Sequence, residues 1–322
     1  MAFRKPASKR VGLKFLLYGL HGSGKTTTAL SFPKIAAVDS ENGMSLYEGK
    51  PKGKNLVLVD NTQSYQELTD NLDNIAEEYE ELGIETFATD SESKIYQNIQ
   101  ETIMTVEEKR AKAKGRDVLD TNLSVRSWGK IGQIALKLQN MKIDLTSKGV
   151  NYVSVSQAAE IKEKQGDSHV VVGYKPAMDK KAEYDYDVIL FHYKEQQANG
   201  EMKYFARVEK DRSETFKAGD IIENPDYSMW AAVVDGVKDK EALNTNFVER
   251  TEADKAQYET NLEEEEKTLI ERMGALFKES EPSVKAKIKA DMAAAKIASF
   301  DGLTANQQEK LEKIYAKYKN AN

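Results

Sequence analysis

A lysine and a hydroxyl placed at the end of a glycine-rich turn can hold a chain of phosphates. The sequence offers this arrangement in Gly19-Leu20-His21-Gly22-Ser23-Gly24-Lys25-Thr26, which satisfies the spacing G-x-x-x-x-G-K-[ST] in full. An apolar run precedes it and a helical pattern follows, the context in which such a loop works. Gly19, Gly22 and Gly24 let the backbone curl so that the N–H groups from there through Ser23, Lys25, Thr26 and Thr27 converge on phosphate oxygens. Lys25 is then expected to bridge the β and γ phosphates, and Thr26 to offer its hydroxyl to Mg²⁺. The chemistry implied is the binding of a nucleoside triphosphate with Mg²⁺ and attack on its terminal phosphoryl group.

A metal held in this way needs an acidic group at the end of another strand. Two aspartates qualify. Asp60 closes the apolar run "NLVLVD", and Asp90 closes the more polar run "IETFATD". Asp60 also introduces a segment in which Ser64 and Glu67 have the spacing of a capping box, so it can equally start a loop. The stretch 109–116, "KRAKAKGR", holds five basic residues in eight, and Arg126 and Trp128 follow it. Positive charge beside an aromatic ring suits single-stranded nucleic acid, and Lys109, Arg110, Lys112, Lys114, Arg116, Arg126 and Trp128 are the candidate contacts. The plainer alternative is a solvated helix end whose lysines complement the helix dipole.

The elements that must position these groups alternate. Runs at 13–19, 34–39, 55–60, 84–90 and 150–157 are strand candidates, separated for the most part by helical patterns over Ser64–Leu82, Glu92–Ala113 and Ser124–Lys148. Such alternation predicts an α/β fold with a mostly parallel sheet covered by helices. Beyond it the spacing predicts a hairpin with Gln165, Gly166 and Asp167 at its tip, then two antiparallel strands, "YDVILFHYK" and "MKYFARVEK". Composition shifts near Asn224, giving an expected core of residues 1–224 and a helical C-terminal region of 225–322. Pro282 and Gly302 punctuate that region into about three helices, and Glu263–Glu266 reads as a solvated face.

The 322-residue chain has 47 basic and 53 acidic residues, a net charge of −6, so any nucleic-acid surface must be local. The absence of cysteine excludes disulfides and thiolate metal sites, and three histidines are too few and too scattered for an expected zinc centre. The apolar run after the basic N-terminus is too short to span a bilayer, so a cytoplasmic protein is expected.

These features together resemble the phage-encoded RecA/RadA-like P-loop ATPases that serve single-strand annealing and recombination. The resemblance covers roughly residues 11–220. "GLHGSGKTTTALSFPK" and "AAVDSENGM" resemble that group's phosphate loop and second strand; Asn42, between Glu41 and Gly43, departs from its pattern. "TDSES" resembles the aspartate-serine that closes its metal-binding strand, which favours Asp90 over Asp60. "VSVSQ" resembles a strand ending in a glutamine that senses the γ-phosphate, assigning this part to Gln157. "VEKDRSETF" resembles a lysine-x-arginine finger, assigning it to Lys210 and Arg212. Glu41 is the candidate for orienting the attacking water. Because Lys210 and Arg212 come late in the chain and near a sheet edge, their expected target is the nucleotide of a neighbouring subunit, which implies a homo-oligomeric ring or filament. The function implied is an ATPase, stimulated by DNA, that assembles on single-stranded DNA and promotes annealing or strand exchange in the host cytoplasm, with a single-strand binding protein as a further partner. The alternatives are a hexameric helicase-like motor and a scaffold or loader that hydrolyses little.

Overall fold

The computed structural model describes residues 3–166, 168–266, 268–300 and 303–319, with no side chains described for 263–266. Asp167 and Gly302, expected at a hairpin tip and a helix break, therefore lie outside the described residues. The chain divides into two compact units, Met1–Val248 and Glu249–Asn322.

The first unit is built on strands β1 (Lys14–Gly19), β2 (Ile35–Asp39), β3 (Leu56–Asp60), β4 (Thr86–Asp90), β5 (Asn151–Gln165), β6 (Ser168–Pro176), β7 (Val188–Gln196), β8 (Met202–Asp211) and β9 (Ile221–Glu223). Its helices are α1 (Lys25–Ala29), α2 (Tyr65–Glu78), α3 (Glu92–Ala113), α4 (Val125–Thr146) and α5 (Ser228–Asp235). The sheet runs β3-β2-β4-β5-β1-β7-β8-β9, with β6 pairing only with β5. From β3 to β7 the pairings are parallel, and β8 and β9 extend the sheet antiparallel. This is the mostly parallel sheet with antiparallel extension that the sequence leads one to expect.

Alternation along the strands sends neighbouring side chains to opposite faces. Phe15 and Leu17 of β1 enter one core with Ala29, Phe32 and Trp230, whereas Leu16 and Tyr18 pack with Tyr186 and Met178 on the other face. Phe87 and Tyr152 join a further core under α2, α3 and α4. Ser64 caps α2, its hydroxyl accepting from Glu67 N, but the reciprocal half of the expected capping box is missing because Thr62 donates to the Glu67 carboxylate instead. Beyond Gln157, β5 leaves the sheet and pairs with β6 as a two-stranded arm, the expected hairpin.

The division between units falls at Val248, beyond the composition shift near 224, because α5 carries Trp230 into the core of the first unit. The indole stands edge-on to Phe15 at 5.4 Å, and its Nε1 donates to Asp211 Oδ2 at 3.0 Å. Helix α6 (Phe247–Glu266) begins where the first unit ends; α7 (Leu269–Glu279), α8 (Pro282–Ala294) and α9 (Ala305–Tyr318) complete the second unit. They enclose a small core of Met273, Leu276, Ile288, Leu311 and Ile314. Capping boxes open α7, through Thr268 and Glu271, and α9, through Thr304 and Gln307. Pro282 starts α8 as its position suggested. Helix α6 adds to the three expected helices, and its sequence, polar on nearly every side, has no apolar stripe to announce it.

Candidate active site at the phosphate loop

Strand β1 lies mid-sheet, and at its C-terminal end Gly19 is in register with Gln157 of β5 on one side and His192 of β7 on the other. Glycine is required there, since a Cβ would stand 2.1 Å from the His192 carbonyl oxygen. Gly24, at φ 92°, takes the left-handed turn into α1 that a side chain would strain. The loop is braced internally: Ser23 Oγ donates to Leu20 O at 2.7 Å, and Lys25 Nζ donates to the carbonyls of Gly19 and Leu20 at 3.0 and 2.8 Å. Burial lowers the Lys25 pKa below the ordinary lysine value, and the carboxylates of Asp90 and Glu41 oppose the shift.

Across β5, the end of β4 brings Asp90 to the loop. Thr26 Oγ1 donates to Asp90 Oδ2 at 2.6 Å, so the expected metal-binding pair is in direct contact. Asp90 is only 3 % exposed. Burial raises its pKa to about 6, opposed by the Thr26 hydrogen bond and reinforced by the neighbouring charges of Glu41 and Asp39. Asp60, by contrast, ends the edge strand β3, where Val57 and Leu58 are exposed, and its Oδ2 accepts from Asn71 at 2.6 Å. Asp39 shapes the loop after β2, accepting from the N–H groups of Gly43 and Ser45 at 2.9 and 2.8 Å. That loop delivers Glu41, whose Oε1 accepts from Ser91 Oγ at 2.6 Å and Gln157 Nε2 at 2.7 Å. The ends of β2, β4 and β5 thus gather Glu41, Asp90 and Gln157 beside Lys25 and Thr26. Among the described residues no three His, Cys, Asp or Glu side chains cluster as a metal cage. The Thr26–Asp90 pair instead suits Mg²⁺, which takes one or two protein oxygens and completes its shell with phosphate and water oxygens.

On the β7 side the structure adds groups that sequence reasoning passed over. His192 is buried beneath the loop, and burial together with the Lys25 charge drives its pKa down to about 3, against a hydrogen bond with the Ser23 backbone. Among the described residues its Nε2 has no hydrogen-bond partner. A cavity of about 720 Å³ runs from the loop along α1 to Tyr47, Lys52, Tyr204 and the segment Asn224–Asp226, room for the rest of a nucleotide. That segment is fixed by Thr28 Oγ1 donating to Pro225 O at 3.0 Å and Tyr227 N donating to Ser31 Oγ at 2.8 Å. The available signal was a histidine interrupting an otherwise apolar run in "VILFHYK".

Lys210 and Arg212 stand elsewhere. Lys210 pairs in register with Ile189, and Arg212 N donates to Asp187 O, level with Lys14 at the start of β1 and at the opposite edge of the sheet from the loop. Both bond the Tyr184 carbonyl, Lys210 Nζ at 3.0 Å and Arg212 Nη2 at 3.1 Å. Of the basic candidates, Arg110, Lys114, Arg116 and Arg126 line one hollow with Asp117 and Asp120, while Glu107 pairs with Arg110 at 3.2 Å. Trp128, 49 % exposed, faces a separate groove with Lys180 and Lys181.

Residues 11–220 match the family described as an AAA domain, and the chain belongs to that family. It is a P-loop ATPase. No curated protein matches it. Among solved structures, a KaiC-like protein from the hyperthermophilic archaeon Pyrococcus horikoshii OT3 is similar at 17 % identity and a TM-score of 0.36, over 67 % of this chain and 90 % of that one. Among the described residues, no helix is long and apolar enough to cross a membrane.

Proposed function

We propose that this ATPase works on single-stranded DNA, assembling along it to promote annealing or strand exchange, with hydrolysis stimulated by the strand. The observation that carries the hydrolytic part is the convergence of Asp90 and Glu41, from the ends of β4 and β2, and Gln157, where β5 leaves the sheet, beside Lys25 and Thr26 of the loop and helix that follow β1. Loop amides and Lys25 hold the phosphates. Thr26 and Asp90 would hold Mg²⁺, which would supply positive charge to offset that of the transferring group. Glu41, oriented by Ser91 and Gln157, aligns the attacking water by accepting its proton in a hydrogen bond. Gln157 bonds Glu41 through its side chain, and its carbonyl accepts from Ala177 N at 2.8 Å at the root of the β5–β6 arm. A shift of Gln157 on loss of the γ-phosphate thereby reaches the arm, which we take as a further place for DNA to bind.

The position of Lys210 and Arg212 at the far edge of the sheet supports their acting on a neighbouring subunit's nucleotide in a ring or filament. The hollow lined by Arg110, Lys114, Arg116 and Arg126 supports a strand path outside the nucleotide site. Turnover measured with and without single-stranded DNA, coupled to electron microscopy with a non-hydrolysable ATP analogue, tests the whole reading. Stimulated turnover and DNA-dependent rings or filaments are expected. Turnover indifferent to DNA, with monomers throughout, sinks the recombination role and leaves the ATPase.

A further inference from the structure

Lys194 lies on β7, two residues beyond His192 and so on the same side of the strand, and its side chain reaches across to the phosphate loop. Its Nζ is 3.1 Å from the point where a Cβ on Gly22 would stand. Gly22, at φ 63°, thus leaves free the space that the ammonium enters. Among the described residues the Lys194 side chain makes no hydrogen bond or ion pair, although Glu195 follows it in sequence. A lysine held over a loop of converging N–H groups, with no carboxylate to neutralise it, adds positive potential at a place already suited to anions.

The geometry also indicates which phosphate it meets. Lys25, the ligand of the β and γ phosphates, folds back onto the carbonyls of Gly19 and Leu20, so the terminal phosphate belongs over the first half of the loop. Gly22, and Lys194 above it, lie in that half. Thr26 and Asp90 approach from the opposite flank, since β4 and β5 lie on one side of β1 and β7 lies on the other. Thr26 and Asp90 would hold a metal on the β4 side of the loop, and on the β7 side the cation that reaches the loop is Lys194.

Resting on the reading of the loop as an ATP site, we infer that Lys194 is a second phosphate-contacting lysine, donating in cis to a γ-phosphate oxygen on the flank away from the metal. It distinguishes ATP from ADP and stabilises the charge that develops on the transferring group. This contact needs no neighbouring subunit, unlike the one proposed for Arg212.

The test uses the full chain with Lys194→Gln and Lys194→Arg, fluorescent analogues of ATP and ADP for equilibrium binding, and steady-state turnover. Because Lys194 is exposed, both variants are expected to keep the thermal midpoint of the wild type. Loss of one charge-assisted contact predicts that Lys194→Gln weakens ATP binding about tenfold or more and leaves ADP binding within about twofold, with kcat reduced. Lys194→Arg should recover most of the ATP preference. Equal loss for both nucleotides, or no loss for either, overturns the assignment. Failure of the underlying reading looks different: wild-type chain that binds neither analogue, or Lys25→Ala that binds both as well as wild type, removes the ATP site itself.

Discussion

Two buried carboxylates stand two residues apart, at the end of β4 and the start of α3, and they are treated in opposite ways. Glu92 is fully partnered: Lys142 Nζ donates to both its oxygens at 2.6 Å, and Ser154 Oγ and Tyr186 Oη donate to Oε2 at 2.5 and 3.2 Å. Lys142 is itself wholly buried, so the pair joins α4 to the start of α3 beneath the sheet's helical layer. Among the described residues the Asp90 carboxylate receives one hydroxyl, from Thr26, and has no bonded cation. A closed, neutralised cluster fixes geometry, whereas a buried acid left short of partners is a place prepared for a cation. The difference marks where structure ends and chemistry begins along a stretch of three residues.

The largest effect should come from opening the closed cluster. Lys142→Met leaves Glu92 buried without its counter-charge and is expected to destabilise the fold by about 3–5 kcal/mol in chemical denaturation, while Glu92→Gln combined with Lys142→Met recovers most of it. If the single variant loses less than the double one, the pair does not act as a neutralised unit.

Asp90→Asn should have the opposite sign. The folded-state pKa of Asp90 is raised to about 6 from an ordinary 3.8, chiefly by burial, so the native state holds the proton more tightly than the unfolded chain. Its favourable contribution is complete below about pH 4 and is lost as pH rises through about 6. Removing the charge should therefore stabilise the protein by about 2–3 kcal/mol at pH 8 and by nothing measurable at pH 4, while Mg²⁺-dependent turnover collapses. Equal stability changes at the two pH values would place the cause outside this ionisation.

The contrast explains what the sequence disclosed. The phosphate loop was fully legible because its function demands fixed residue types at fixed spacing, and the strands were legible because short apolar runs alternate with helical periodicity. Hydropathy misled on depth. "NLVLVD", the more apolar run, is the exposed edge strand β3, while "TFATD" is central and wholly buried, Thr89 being accommodated by a 2.8 Å hydrogen bond with Tyr152 Oη. Thr89 enters the core because a partner is waiting, and that partner is 63 residues away in sequence. The same remoteness hid Lys142 from Glu92, and Lys194 from Gly22. Trp230 reads as part of a tail by composition, and only its long-range contacts with Phe15 and Asp211 return it to the first unit.

A smaller change tests the single partner Asp90 does have. Thr26→Val preserves side-chain volume but removes the hydroxyl donor, and at pH 8 it should cost about 1–2 kcal/mol, the scale of a hydrogen bond to a buried charged group. Since that bond holds the Asp90 pKa down, its loss should also push the carboxyl's titration upward, followed by NMR. An unmoved titration would mean that the 2.6 Å contact does not persist in solution.

The smallest effect is expected at Asp60, and it separates the two aspartates that sequence alone left in competition. Both end strands of the same parallel sheet, but Asp60 lies on its outer edge, exposed, with its carboxylate held by the amide of Asn71. A charge there is already solvated, so Asp60→Asn removes little hydration free energy and leaves no buried group unpaired. Stability should change by no more than about 0.5 kcal/mol at pH 4 or pH 8, the range of ordinary surface substitutions. Turnover should stay within about twofold of wild type at saturating Mg²⁺, because β2 and its loop separate Asp60 from β4 and the Thr26 hydroxyl. Measured beside Asp90→Asn under the same conditions, the pair forms one experiment with opposed outcomes. Loss of Mg²⁺-dependent turnover in Asp60→Asn, with Asp90→Asn active, would transfer the metal to the sheet edge and leave the buried acid at the end of β4 with Thr26 alone and no cation to hold.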